Sequence, residues 1–240
     1  MSTNYFILVR PSGKPANQKN EDQILTTTVG KLNYILPANN LDYYRTYGLF
    51  ECGLIDWCRQ FGASDKTFLD IGAHSGTYAL SLAGVFDRVY AFEPQRMTYY
   101  TLCGSVALSN LRNIHCLNYG LGSADQVGSR ELQIISDDGG GSTVQPLQPH
   151  QKLLATESIE IRTLDSLDLQ NVGFIKMDVE GNELDVLRGA VSSIKRWNMP
   201  RILFESNSGR DDKNLFQFII ELGYNITPIA GVHNMFLAYI

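Results

Sequence analysis

Acidic residues that close apolar runs are the side chains of this chain best placed to do chemistry. Asp70 follows the run TFL at 67–69, and Glu93 follows VYAF at 89–92. Asp178 follows GFIKM at 173–177, and Glu205 follows RILF at 201–204. Acids at the ends of parallel strands, beside a glycine turn, occur where a nucleoside-bearing cofactor lies across a sheet. The turn Asp70-Ile-Gly-Ala-His-Ser-Gly76 separates the first two of these runs. Glycine lets the backbone turn sharply and lets a ligand approach the main chain. The helix that follows offers free N–H groups. Any strand-to-helix corner can contain glycine, so the turn alone is weak evidence.

Glu93 strengthens it. An acid at the end of the second strand can accept hydrogen bonds from both ribose hydroxyls. The alternative is a solvated strand-end acid beside the next helix N-terminus. The spacing Gly72-x-x-x-Gly76 is not G-x-G-x-x-G, which disfavours a nicotinamide dinucleotide. The segment Lys176-Met-Asp-Val-Glu-Gly-Asn-Glu183 gathers Asp178, Glu180 and Glu183 near one strand end. They either complement a helix dipole or face a cofactor and an acceptor as proton-transfer groups. His74, inside the turn, is a further candidate base.

Alternating strands and helices must hold these residues. The strands expected are 32–36, 67–69, 89–92, 114–118, 131–136, 158–162, 173–178, 201–205, 224–229 and 234–239. Helices are expected over 49–61, 94–109, 182–194 and 214–222; in the first, Phe50, Leu54, Trp57, Cys58 and Phe61 recur at helical spacing. This alternation predicts an α/β, doubly wound sheet with right-handed crossovers. The last two strands are joined by a short loop, so one runs antiparallel at the edge. Residues 10–23 are polar, carry two prolines and read as a loop or arm. The glycine-rich segment 137–145 lies between two strands of an insertion. It reads either as a lid over an acceptor or as a floppy hairpin tip.

The 240 residues suffice for one domain with a sizeable core. Apolar content of 44% and charged content of 19% are those of an ordinary globular protein. A net charge of −5 gives no global attraction to nucleic acid or to an anionic membrane. Cys52, Cys58, Cys103 and Cys116 form no CxxC pair, so zinc is not expected and buried reduced thiols are. The apolar run at 5–9 is too short for a signal sequence or a span. A cytoplasmic protein with no membrane partner is the expectation.

Together these stretches resemble the FkbM family of S-adenosylmethionine-dependent methyltransferases. The matching text is FLDIGAHSG, VYAFEPQ, TLDSL, FIKMDVEGNELDVLRGA and ILFES, in the family's order and spacing. The resemblance implies a Rossmann-like class I methyltransferase fold over residues 62–240, behind an N-terminal arm and cap at 1–61. Its sheet would be doubly wound, mostly parallel and seven-stranded, with an antiparallel edge strand. S-adenosylmethionine would be the cofactor, and a hydroxyl of a sugar, glycan or natural product the acceptor.

By the same resemblance, Asp70, Gly72, Ala73, His74 and Gly76 would shape the cofactor loop. Glu93 would hold the ribose, and Asp178 would sit beside the methyl donor. Glu51, in LFECG, would reach the cofactor's amino-acid moiety or the acceptor. The family commonly has asparagine where His74 stands. Asp178, Glu180 and Glu205, in that order, are the bases implied for the acceptor's proton. Mg²⁺ on these carboxylates is the less favoured arrangement. An RNA ribose 2′-O-methyltransferase would use Lys176, Asp178 and Glu205. Its only basic patch would be Arg196, Arg201 and Arg210, so nucleic acid is disfavoured. A non-catalytic cofactor-binding scaffold is the remaining alternative, and intact Asp70, Glu93 and Asp178 argue against it.

Overall fold

The computed structural model describes residues 5–11, 31–206 and 212–240. Arg210 and most of the arm expected at 10–23 lie outside them. The chain opens with β1 (Tyr5–Pro11), β2 (Lys31–Pro37), α1 (Leu41–Tyr47) and α2 (Cys52–Cys58). Then follow β3 (Ala63–Ile71), α3 (Thr77–Leu82), β4 (Phe86–Phe92), α4 (Arg96–Leu108) and β5 (Ile114–Leu117). An insertion contributes β6 (Gly120–Leu121), β7 (Gly128–Ile134) and β8 (Ala155–Arg162). The chain ends with β9 (Val172–Met177), α5 (Glu183–Arg188), α6 (Val191–Arg196), β10 (Arg201–Glu205), α7 (Asp212–Glu221), β11 (Asn225–Pro228) and β12 (Met235–Tyr239).

The main sheet has seven strands in the order β11-β12-β10-β9-β3-β4-β5. From β10 across to β5 every neighbour is parallel. The terminal hairpin supplies the antiparallel strand at the other edge. It is β12, the inner member, which pairs antiparallel with both β10 and β11. Strand order reverses between β3 and β9, and such reversals open a crevice at the carboxyl ends of the strands. The carboxyl half of β3 and nearly all of β9 are buried, as a sheet covered on both faces requires.

One side of the sheet packs Phe68, Val89 and Phe174 against Leu54 and Ile55 of α2 and Leu80 of α3. Leu32, Tyr34 and Leu36 of β2 belong to the same cluster, so the N-terminal elements share the main core. The other side packs Ile71, Ile175 and Met177 against Val186, Leu187, Ile194 and Ile219 from α5, α6 and α7. The insertion strands form a separate sheet, β6-β8-β7, with Ile159, Ile161 and Leu132 on its buried face. β7 and β8 pair antiparallel as expected.

Several expectations are corrected. The helix expected over 182–194 is two helices, α5 and α6. The break is tertiary: a Cβ on Gly189 would collide with the Gly122 carbonyl. Asp165 then caps the new start, accepting the N–H groups of Ser192 at 3.1 Å and Ser193 at 2.7 Å. The helix expected over 49–61 begins only at Cys52, because Glu51 is left-handed with φ 53°. Phe50 and Trp57, which share the helical spacing of the buried Leu54 and Cys58, are exposed. All four cysteines are free thiols, but only Cys58 is buried, and the others are half-buried. Among the described residues, no helix is long and apolar enough to cross a membrane.

Candidate active site at the strand-order reversal

A cavity of about 460 Å³ opens at the carboxyl ends of β3, β4 and β9. Gly72, Ala73, His74, Glu93, Asp178 and Glu180 line it from the sheet side. Leu121, Leu132, Ile159 and Ile161 of the insertion give it an apolar wall. Tyr44, Phe50 and Glu51 from the N-terminal elements and Gly139 to Ser142 also line it.

Asp70 does not line the cavity but is fully buried beneath it. Its Oδ2 accepts the Ala79 N–H at 2.8 Å, tying the end of β3 to α3. Its Oδ1 has no hydrogen-bond partner and lies 4.0 Å from Lys176 Nζ. Burial pushes the Asp70 carboxyl up to about 6, although Lys176 opposes the shift. Lys176 donates to the Gly72 carbonyl at 3.1 Å and lies 3.4 Å from Asp178 Oδ2. Burial opposes its charge, but Asp178, Asp70 and Glu51 outweigh burial and raise its pKa. The ammonium thus fixes the glycine turn against β9. Gly72 has φ +75°, and a Cβ there would collide with the Asp178 carbonyl. Gly76, at φ +86°, would drive a Cβ into Leu102 and Leu80.

Glu93 ends β4 with each carboxylate oxygen held by the main chain. Oε2 accepts the His74 N–H and Oε1 the Gln95 N–H, both at 2.9 Å. Burial raises its carboxyl to about 7, against the pull of these donors. His74 itself is left-handed, with φ 52°. Its Nε2 lies 2.8 Å from the Asp138 carbonyl and its Nδ1 2.8 Å from Ser75 Oγ. These partners assign a neutral ring with the proton on Nε2, donated to that carbonyl. Burial lowers its pKa in the same sense. Both ring nitrogens are engaged, so the imidazole latches the glycine-rich segment instead of standing free as a base.

Asp178, Glu183 and Glu205 bring carboxylate oxygens within 4.8 Å of one another. Glu183 Oε1 accepts the Val179 N–H at 2.9 Å and the Gly181 N–H at 3.4 Å. Glu205 does not line the cavity; it lies behind Asp178 and hydrogen-bonds to it. Burial, then the Asp178 charge, pushes Glu205 up to about 9. The pair therefore shares one proton, as close carboxyls must. Glu180, at φ 56°, accepts the Gly141 N–H on Oε1 at 3.1 Å and the Thr143 hydroxyl on its carbonyl at 2.8 Å.

The glycine-rich segment is thus a tethered wall of the cavity. Asp138 Oδ2 accepts from Asn39 and Asn40, both at 3.1 Å, and Gln95 Oε1 accepts from Ser142 at 3.1 Å. Glu51 also lines the cavity, and its Oε2 accepts the Tyr78 hydroxyl at 2.7 Å.

Of the residues singled out from sequence, Glu51, Gly72, Ala73, His74, Glu93, Asp178 and Glu180 share this cavity. Asp70, Gly76 and Glu205 support it from behind. Arg196 and Arg201 do not line it. Sequence reasoning missed Tyr44 and Tyr78, and also the apolar wall. The alternation of Ile159 and Ile161 in β8 was the available signal for that wall.

The sequence profile of the methyltransferase FkbM domain matches residues 70–226. The chain is 27% identical over 163 residues to the hexuronic acid methyltransferase AglP of Haloferax volcanii, covering 65% of this chain and 62% of that protein. It is 29% identical over 147 residues to Methyltransferase 1 of Beauveria bassiana, covering 52% of this chain and 58% of that protein. The matches thus span less than two thirds of these relatives' lengths. In fold, the chain is similar to a methyltransferase FkbM from Methylobacillus flagellatus KT, with a TM-score of 0.53 and 23% identity over 73% of this chain and 44% of that one. It is also similar to an rRNA methylase from Streptococcus thermophilus, with a TM-score of 0.50 and 12% identity over 78% of this chain and 93% of that one. The chain belongs to the FkbM methyltransferase family.

Proposed function

We propose that this chain is an S-adenosylmethionine-dependent O-methyltransferase acting on a sugar hydroxyl. The carrying observation is Glu93, fixed by two backbone N–H groups on a cavity at the strand-order reversal. Family membership and the hexuronic acid methyltransferase relative support the reading. The residues fit the cofactor. Each Glu93 oxygen keeps a free lone pair for a ribose hydroxyl. Gly72, at φ +75° and packed on the Asp178 carbonyl, keeps the turn close against the cavity wall. Leu121, Leu132, Ile159 and Ile161 offer an apolar wall to the base. The surrounding carboxylates complement a cation.

When bound, S-adenosylmethionine supplies an electrophilic methyl on an already activated leaving group. The protein's own task is to hold the acceptor oxygen in line and to receive its proton. Orientation of this kind supplies roughly 7–11 kcal/mol in favourable cases. A positioned base adds about 10²–10⁴-fold. Asp178 is the member of the carboxylate cluster that lines the cavity, and it is our base. Glu205 orients it from behind, and Glu180 holds the enclosing segment. Metal binding is not favoured, because Glu183 Oε1 already accepts two backbone N–H groups and Glu205 does not line the cavity.

The test is calorimetry with S-adenosylhomocysteine, followed by transfer of a labelled methyl group to a panel of sugars. Asp178→Asn should keep S-adenosylhomocysteine binding and lose at least about 100-fold in turnover. Near-normal turnover would remove Asp178 from the chemistry.

A further inference from the structure

The N-terminal elements carry exposed aromatic rings beside the cavity. Tyr43 of α1 stacks on Phe50 with centroids 4.1 Å apart and planes 17° apart. Tyr47 lies against Tyr43 at 5.1 Å, and Tyr44 meets Phe50 edge-on at 5.1 Å. Tyr44 and Phe50 reach into the cavity wall. Yet Tyr47 is 62% exposed, Phe50 40% and Tyr43 37%. This shelf is therefore continuous with the site but half outside it. Large rings left in water beside a cavity mark a place where a ligand lies.

Glu51 stands between the shelf and the sheet. It is held left-handed at φ 53°, and the Tyr78 hydroxyl fixes one of its oxygens. Backbone strain on a non-glycine residue persists only where its surroundings impose it, and it clusters at ligand sites. The acidic residues lining the cavity are Glu51, Glu93, Asp138, Asp178 and Glu180. An ionised carboxylate accepts hydrogen bonds and donates none. Among the described residues, the cavity's only cationic side chain is Lys176, already held by Asp178, Asp70 and the Gly72 carbonyl. His74 is neutral, with both nitrogens engaged. A lining rich in acceptors, with no free cation among the described residues, favours a ligand rich in O–H donors and without net negative charge.

Resting on the methyltransferase reading above, we infer that Tyr43, Tyr47, Phe50 and Glu51 form the acceptor subsite and that it takes a neutral pyranose. The sugar's C–H face lies on the shelf, and its hydroxyls donate to Glu51. A uronate is rejected because its carboxylate would face like charges, with no free cation among the described lining residues to pair it. This chain therefore differs in acceptor charge from its hexuronic acid-methylating relative.

Saturation-transfer NMR and binding titration, with S-adenosylhomocysteine present, test this with methyl pyranosides and their uronate counterparts. Neutral pyranosides should bind at least about 10-fold tighter than the matching uronates. Phe50→Ala and Tyr47→Ala should each weaken the neutral sugar about 5-fold, with S-adenosylhomocysteine affinity unchanged. Glu51→Gln should narrow the gap between neutral sugar and uronate. The subsite is overturned if uronates bind as well as neutral sugars or if a simple phenol binds better than either. It is overturned equally if the shelf variants bind sugar like the wild type. A wild type that fails to bind S-adenosylhomocysteine would instead strike the methyltransferase reading, and the subsite with it.

Discussion

Gly72 and Glu205 show how single residues set the tolerance of this site. Gly72 combines φ +75° with main chain of Asp178 where a Cβ would stand. Gly72→Ala must therefore push β3 and β9 apart or distort the turn. The expected loss is about 3 kcal/mol, read as a fall of roughly 6–12 °C in Tm. An unchanged Tm would mean the turn relaxes freely. Glu205 bears on pH. Its folded carboxyl titrates near 9, above its ordinary 4.5, so the folded state holds a proton that the unfolded chain has released. The stability this contributes is full below about 4.5 and is lost as pH rises towards 9. Glu205→Gln carries no such titration. Its Tm relative to wild type should rise between pH 5 and pH 9, and a constant offset would contradict the shared proton.

At the scale of elements, the segment joining β7 and β8 is held by bonds to several distant parts of the chain. Glu180, His74 and the Asn39–Asn40 pair each fix it. Glu180→Ala deletes the acceptor for the Gly141 N–H. A hydrogen bond of about 1 kcal/mol corresponds to about 5-fold faster amide exchange at Gly141. Exchange at wild-type rates would show that the Glu180 tether is idle. These tethers also mark where sequence reading stops. Strand-ending acids such as Asp70, Glu93 and Asp178 are legible because each sits beside its own apolar run. The split between α5 and α6 is not, because Asp165 and Gly122 impose it from far along the chain. Phe50 and Trp57 satisfy a helical period yet face water, since periodicity records spacing and not which neighbours arrive.

At the scale of the molecule, the cavity is an assembly of parts that are distant in sequence. The sheet contributes acids and a glycine turn, the insertion an apolar wall, and the N-terminal elements aromatic rings. The sheet's share was readable from local pattern, as was the fold class. The shares of the insertion and the N-terminal elements depend on long-range packing and were not. The methyltransferase reading requires a nucleoside cofactor to bind against Glu93. Calorimetry of S-adenosylhomocysteine with wild type and Glu93→Ala, both confirmed folded by circular dichroism, tests it most directly. Two hydrogen bonds to a charged acceptor, each about 1.5–3 kcal/mol, predict at least about 100-fold weaker binding in the variant. Undiminished affinity in Glu93→Ala, or no binding by the wild type, would contradict it.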